Sequence, residues 1–83
     1  MTREEIDLEV RKIIANHLDV NEDEIEDTST INGLGADSLD KVEIVMAIED
    51  KFNIDIKDAE IENVNTFADL IAVTEKTIGE GTK

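Results

Sequence analysis

The fold turns on the stretch Asp37-Ser38-Leu39-Asp40-Lys41-Val42-Glu43-Ile44-Val45-Met46-Ala47-Ile48-Glu49-Asp50-Lys51-Phe52. At about 100° per residue, Leu39, Val42, Ile44, Val45, Met46, Ile48 and Phe52 cover an arc of about 220°, more than a helix packed on one side uses. Asp40, Glu43, Asp50 and Lys51 fill the remainder. The spacing predicts a helix from Asp37 to about Phe52, with Leu39 and Met46 on the edge of the apolar arc, beside acids at the surface. Asp37 or Ser38 supplies the N-cap, and acids crowd the first turn, where the helix dipole favours them.

Helical patterns flank this stretch on both sides. Ile6, Val10, Ile13 and Ile14 fall on one face of a helix running from Thr2 to about Asn16, with Leu18 extending the stripe. Thr2 and Glu5 have the spacing of a capping box. After Phe52, the residues Ile54, Ile56, Ala59, Ile61 and Val64 suit a short or irregular helix. Thr66 and Asp69 repeat the capping-box pattern ahead of Phe67, Leu70, Ile71, Thr74 and Ile78, and Gly79 and Gly81 are expected to end that last helix in a frayed tail over 79–83. Residues 19–36 read as a long loop with turn signals at Asn32-Gly33 and Gly35, pinned to the core by Val20, Ile25, Ile31 and Leu34. The expected fold is all-α: a small four-helix bundle of three longer helices and one short one, with a long loop between the first two. Residues 1–83 read as a single domain, without repeat or linker.

Composition narrows the function. Eight Lys and Arg against 22 Asp and Glu give a net charge of −14, so no basic face exists to meet nucleic acid or an anionic membrane. With no Cys there is no disulfide framework, thiolate metal site or protein thiol nucleophile. The first residues carry acids where a signal peptide would place an apolar core, and the expectation is a cytoplasmic protein. Hydrophobic content of 40%, mostly regularly spaced Ile, Val and Leu, argues against disorder despite the acidity. With only two aromatics, Phe52 and Phe67, the interior is a small aliphatic one.

Gly35-Ala36-Asp37-Ser38-Leu39-Asp40 forms the junction between the loop and the second helix. Gly35 permits a tight entry, and Ser38 lands in the first turn with its hydroxyl outward, beside free backbone N–H groups that favour an anion. A lone Asp-Ser ahead of a helix is most often only a cap. Here Leu34-Gly-Ala-Asp-Ser-Leu-Asp40, followed by Val42-Glu-Ile-Val-Met-Ala-Ile-Glu49, resembles the attachment site of acyl carrier proteins. The resemblance extends to the leading helix, the acidic loop, the Phe52-Asn-Ile-Asp-Ile56 run and the closing helix.

That resemblance implies transfer of 4′-phosphopantetheine from coenzyme A to the Ser38 hydroxyl by a magnesium-using carrier-protein synthase. The thiol of the arm then carries acyl groups as thioesters, and the protein is itself no enzyme. It further implies that Asp37, Leu39, Asp40, Glu43, Met46 and Glu49 form a docking face for acyl-transfer, condensing, reducing and dehydrating enzymes with basic patches. Rim charges of that kind steer encounter more than they add affinity. A fatty-acid-synthesis carrier acting as a monomer is expected, with a dedicated polyketide, peptidyl or other acyl carrier as the alternative. The chain departs from the family pattern at Gly33, Lys41 and Lys57 and lacks a frequent tyrosine in the closing helix, which bears on partner choice.

Other classes fit less well. A serine hydrolase needs a base, and the single histidine, His17, sits at the end of the first helix with no Gly-x-Ser-x-Gly elbow in the chain. His17 reads instead as a helix C-terminal residue favoured by the dipole. Asp19, Asn21 and Asp23 match the opening of an EF-hand loop, but Glu24 stands at the glycine position and Thr30 at the final glutamate position. No specific metal site is read from the sequence; an acidic cation-binding or unmodified interaction module is the remote alternative.

Overall fold

The computed structural model describes residues 2–80. Four helices follow in order: α1 Arg3–Leu18, α2 Ser38–Phe52, α3 Asp58–Glu62 and α4 Phe67–Glu80. Among the described residues there is no strand, only an isolated antiparallel bridge between Thr30 and Thr66. The expected all-α bundle, three longer helices and one short, is what forms.

Each long helix begins as its local sequence dictates. Thr2 caps α1 in a complete capping box with Glu5. Asp37 caps α2 in the same way: its side chain accepts the Asp40 N–H at 2.9 Å, and Asp40 accepts the Asp37 N–H at 3.1 Å. At α4, Thr66 Oγ1 accepts the Asp69 N–H, and Asp69 accepts the N–H groups of Thr66 and Asn65. Helices α1 and α2 end on left-handed Asp19 and Asn53, residue types that tolerate that conformation.

The core is aliphatic and continuous. Ile6, Val10 and Ile14 of α1 meet Ile44, Val45 and Ile48 of α2 and Phe67, Leu70 and Ile71 of α4, all buried. Thr74 and Thr77 are buried too, their hydroxyls donating to the carbonyls of Leu70 and Val73 at 2.8 Å, so they cost the interior no unpaired polar group. Helix α1 packs against both α2 and α4, and α3 lies on α4.

The 19–36 segment is pinned as expected: Ile25 and Ile31 are buried, and Val20 and Leu34 pack on the core. It also contains two 3₁₀ turns, Glu22–Glu24 and Asn32–Leu34, that hydrophobic spacing does not signal. Long-range bonds hold it. Ile31 N donates to Asn65 O at 2.9 Å, while Phe67 N and Ala68 N, at the open start of α4, donate to the carbonyls of Ser29 and Asp27. Arg11 lies across the loop from α1, its guanidinium 4.6 Å from the centre of the Phe67 ring and bonded to the carbonyls of Ile25 and Glu22 and to Asp7.

One expectation is corrected. Gly79 does not stop α4, which runs on to Glu80, so residues 79–80 are helical. Nothing approaches the Gly79 position, so a Cβ would fit there too, and the glycine costs the helix only its propensity, about 1 kcal/mol. The expected Gly81 stop and the rest of the tail lie outside the described residues.

Candidate functional site

The loop delivers the chain to α2 through two glycines with different reasons. A Cβ at Gly33 would stand 2.6 Å from the Thr30 hydroxyl oxygen, which already accepts the Gly33 N–H at 2.9 Å. A side chain at position 33 would therefore force the Thr30 hydroxyl to shift. Gly35 has φ of 101°, a left-handed conformation that side chains disfavour. Ala36 then drops into the core and Asp37 emerges as the cap.

Because Asp37 is the cap, Ser38 is not. Ser38 is the first residue of α2 and is exposed. The N–H groups of Ser38 and Leu39 open the helix, where no carbonyl one turn earlier in the helix exists for them. An alcohol here is accessible, and a phosphodiester made on it would lie in the favourable field of the helix N-terminus. The residues present therefore fit a phosphoryl-linked group.

Around the serine lies an unusual surface. Leu39, Val42 and Met46 are 65%, 49% and 57% exposed, at spacings that place them along one side of α2. Leu39 and Met46 were expected there. Val42 was not, because an arc of apolar residues does not reveal which part of it meets the core. Below them a groove of about 390 Å³ runs between α2 and α3, with Val42, Val45, Met46, Ile56 and Ile61 among its walls.

The acids of α2 are tied into the fold to different degrees. Asp37 and Asp40 are engaged in the cap. The Asp37 backbone N–H holds the Asp40 carboxyl below its ordinary value, with His17 adding to the effect. Glu43 is exposed and, among the described residues, meets only His17, at 3.3 Å. Glu49 is half-buried, with Oε2 accepting the Ile56 N–H at 2.8 Å across the α2–α3 connection. Lys41 departs from the family pattern in a specific way: its ammonium donates to the Val64 carbonyl at 2.7 Å and thus reaches toward the α3–α4 connection.

His17 does lie in the last turn of α1, but it also turns its Nε2 to Asp40 Oδ1 at 3.2 Å and to Glu43 Oε1. Nothing in the local sequence brings these three together. Asp19 and Asp23, the acids of the EF-hand-like run, are exposed and belong to no convergent group of His and carboxylate donors among the described residues.

A four-helix domain that presents a serine hydroxyl at the head of its second helix has the form of a phosphopantetheine-bearing carrier domain. Residues 9–73 match the phosphopantetheine attachment site family. The chain is 49% identical over 70 residues to an acyl carrier protein of Caulobacter vibrioides, covering 82% of this chain and 90% of that one. It is 44% identical over 80 residues to the acyl carrier protein of Akkermansia muciniphila, covering 95% of this chain and all of the other. The crystal structure of an acyl carrier protein from Thermotoga maritima superposes with a TM-score of 0.83 at 29% identity, over 96% of this chain and 94% of that one. The chain belongs to the acyl carrier protein family, with 4′-phosphopantetheine as its covalent prosthetic group.

Proposed function

We propose that residues 1–83 act as one carrier domain, monomeric and cytoplasmic, that bears 4′-phosphopantetheine on Ser38 and shuttles growing acyl chains between the enzymes of fatty acid biosynthesis. The observation that carries this reading is the position of Ser38: exposed, first in α2, and relieved of capping duty by Asp37. The arm supplies a thiol that holds acyl groups as thioesters, chemistry for which the chain itself has no cysteine.

The remaining work falls to surfaces. Asp37, Asp40, Glu43 and Glu49 provide negative charge for basic patches on the carrier-protein synthase and on acyl-transfer, condensing, reducing and dehydrating enzymes. Leu39 and Met46 provide apolar contact between those charges. The exposed stripe gives such complexes a small desolvated centre, and the charges around it favour fast, salt-sensitive exchange. The groove between α2 and α3 offers apolar walls next to the docking face for the start of an acyl chain.

Intact-mass measurement after incubation with coenzyme A, magnesium and a carrier-protein synthase tests the assignment. One added phosphopantetheine is expected, absent in Ser38→Ala. An unmodified wild-type chain, or a Ser38→Ala chain that still gains the mass, overturns it.

A further inference from the structure

The His17 imidazole stands between two carboxylates that α2 places on one side, Asp40 and Glu43, three residues apart. The donors come from two helices rather than one acidic run, and all three ligand atoms lie within 4.8 Å of one another. Their spacing has chemical content. A tetrahedral ion with nitrogen and oxygen ligands at about 2.0–2.1 Å sets its ligands about 3.3–3.4 Å apart. His17 Nε2 is 3.2 Å from Asp40 Oδ1 and 3.3 Å from Glu43 Oε1, so two of the three edges already have that length.

We propose that His17, Asp40 and Glu43 form a binding site for a zinc-class divalent cation, with water completing the coordination. One imidazole and two carboxylates suit zinc, cobalt or nickel. Calcium takes six to eight oxygen ligands and magnesium keeps most of its own waters, so neither gains from the imidazole. Two carboxylates and a neutral ring also balance the ion's charge. The ring Nε2 already faces both carboxylates, so a cation would enter where the three ligand atoms converge.

The ligands are held by structure built for other reasons. Asp40 is fixed by its capping bonds with Asp37, and Glu43 lies one turn further along the same helix. His17 is carried on the last turn of α1, which packs on α2. A bound ion would brace α1 against α2 and withdraw two acids from the docking face. The site itself does not depend on the proposed function; only that effect on docking does.

The test is a zinc titration of the untagged 83-residue chain in excess magnesium, followed by calorimetry and by ¹⁵N NMR of the His17 ring. Because His17 is the only histidine, its ring signals report the site without ambiguity. One equivalent of zinc is expected to bind and to shift the ring nitrogen resonances. His17→Gln and Glu43→Gln, checked for retained helix by circular dichroism, should each weaken binding by about tenfold or more, since even outer-sphere changes cost that much. Equal zinc affinity in wild type and His17→Gln overturns the proposal. So does a wild-type titration in which one equivalent leaves the His17 ring signals unmoved, an outcome that needs no variant to be folded.

Discussion

Replacing Arg11 by Met would remove the guanidinium while keeping most of the side chain's length and apolar stem, and so isolates what the charge does for the long loop. In the structure that charge sits 4.6 Å from the centre of the buried Phe67 ring and donates to the carbonyls of Ile25 and Glu22. A charged donor to a carbonyl is worth about 1.5–3 kcal/mol, the contact with the ring about 0.5–1 kcal/mol, and the Asp7 pair about 0.3–0.5 kcal/mol. These share one group and do not add, and water can reach the site because the side chain is 22% exposed. The working loss is about 2–3 kcal/mol. At about 0.05–0.15 kcal/mol per residue, a chain of this size holds about 4–12 kcal/mol in all. Arg11→Met should therefore lower Tm by about 10–20 °C. Urea unfolding followed by far-UV circular dichroism measures the change. Lys12→Met is the control: its ammonium is 3.9 Å from Glu9 at an exposed position, and its loss should cost about 0.5 kcal/mol or less. An Arg11→Met protein within about 0.5 kcal/mol of wild type would refute the idea that this residue fastens the loop.

Gly33→Ala should cost about 1 kcal/mol, from a Cβ placed 2.6 Å from the Thr30 oxygen, and Thr30→Ala in the same chain should restore most of it; thermal melts of the single and double variants decide, and no rescue would point to another cause. Glu49 separates two roles. Glu49→Ala leaves the Ile56 N–H without its acceptor and should lose about 1–3 kcal/mol, whereas Glu49→Gln keeps an acceptor, holds the fold and weakens only salt-sensitive docking; equal melts for the two substitutions would contradict this. Glu5, Asp40 and Asp69 are each held below their ordinary values, 4.5 for the glutamate and 3.8 for the aspartates, first by the backbone N–H groups of Thr2, Asp37 and Thr66 respectively. Their capping contribution is thus complete above those values and is lost as pH falls through them toward the lower folded values. Relief of repulsion among the carboxylates acts in the opposite sense as pH approaches the pI of about 4.1, so stability should rise on mild acidification and fall below about pH 4. Carboxyl ¹³C titrations check the assignment, and inflections at or above the ordinary values would count against it.

What was legible in the sequence is what is local in the fold. The boxes expected at Thr2–Glu5 and Thr66–Asp69 span four residues each and both form, and the N-cap left between Asp37 and Ser38 falls to Asp37, whose own box with Asp40 the structure adds. The apolar periodicities of α1, α2 and α4 also depend only on near neighbours. The rest depends on partners far along the chain. The two 3₁₀ turns sit in a segment whose position is set by Arg11, Asn65 and the open start of α4. Val42 joins the exposed stripe because α1 and the core take the side of the arc that holds Ile44, Val45 and Ile48, which periodicity on α2 alone does not disclose. Lys41 and Val64, like His17 and Asp40, are 23 positions apart, and no spacing rule connects them.

The acids of α2 show why the proposed docking face and a folding device are hard to separate. Among those assigned to docking, Asp37 and Asp40 start the helix that carries Ser38, and Glu49 closes the turn that follows it. Removing any of these charges by alanine scanning would perturb the presentation of the serine together with the field around it. Glu43 is different: its only described partner is His17, and its carboxylate holds no backbone group. A loss of partner binding in Glu43→Gln, with the melt unchanged, is therefore evidence for charge recognition in a way that the same loss in Asp37→Ala or Asp40→Ala is not. Lys41 sharpens the point from the other side. Its ammonium keeps its positive charge when it donates to the neutral Val64 carbonyl, so it offsets part of the field that Asp37 and Glu43 present while joining α2 to the α3–α4 connection. Under the proposed docking role, Glu43→Gln in metal-free buffer is therefore the substitution on α2 that best separates recognition from folding.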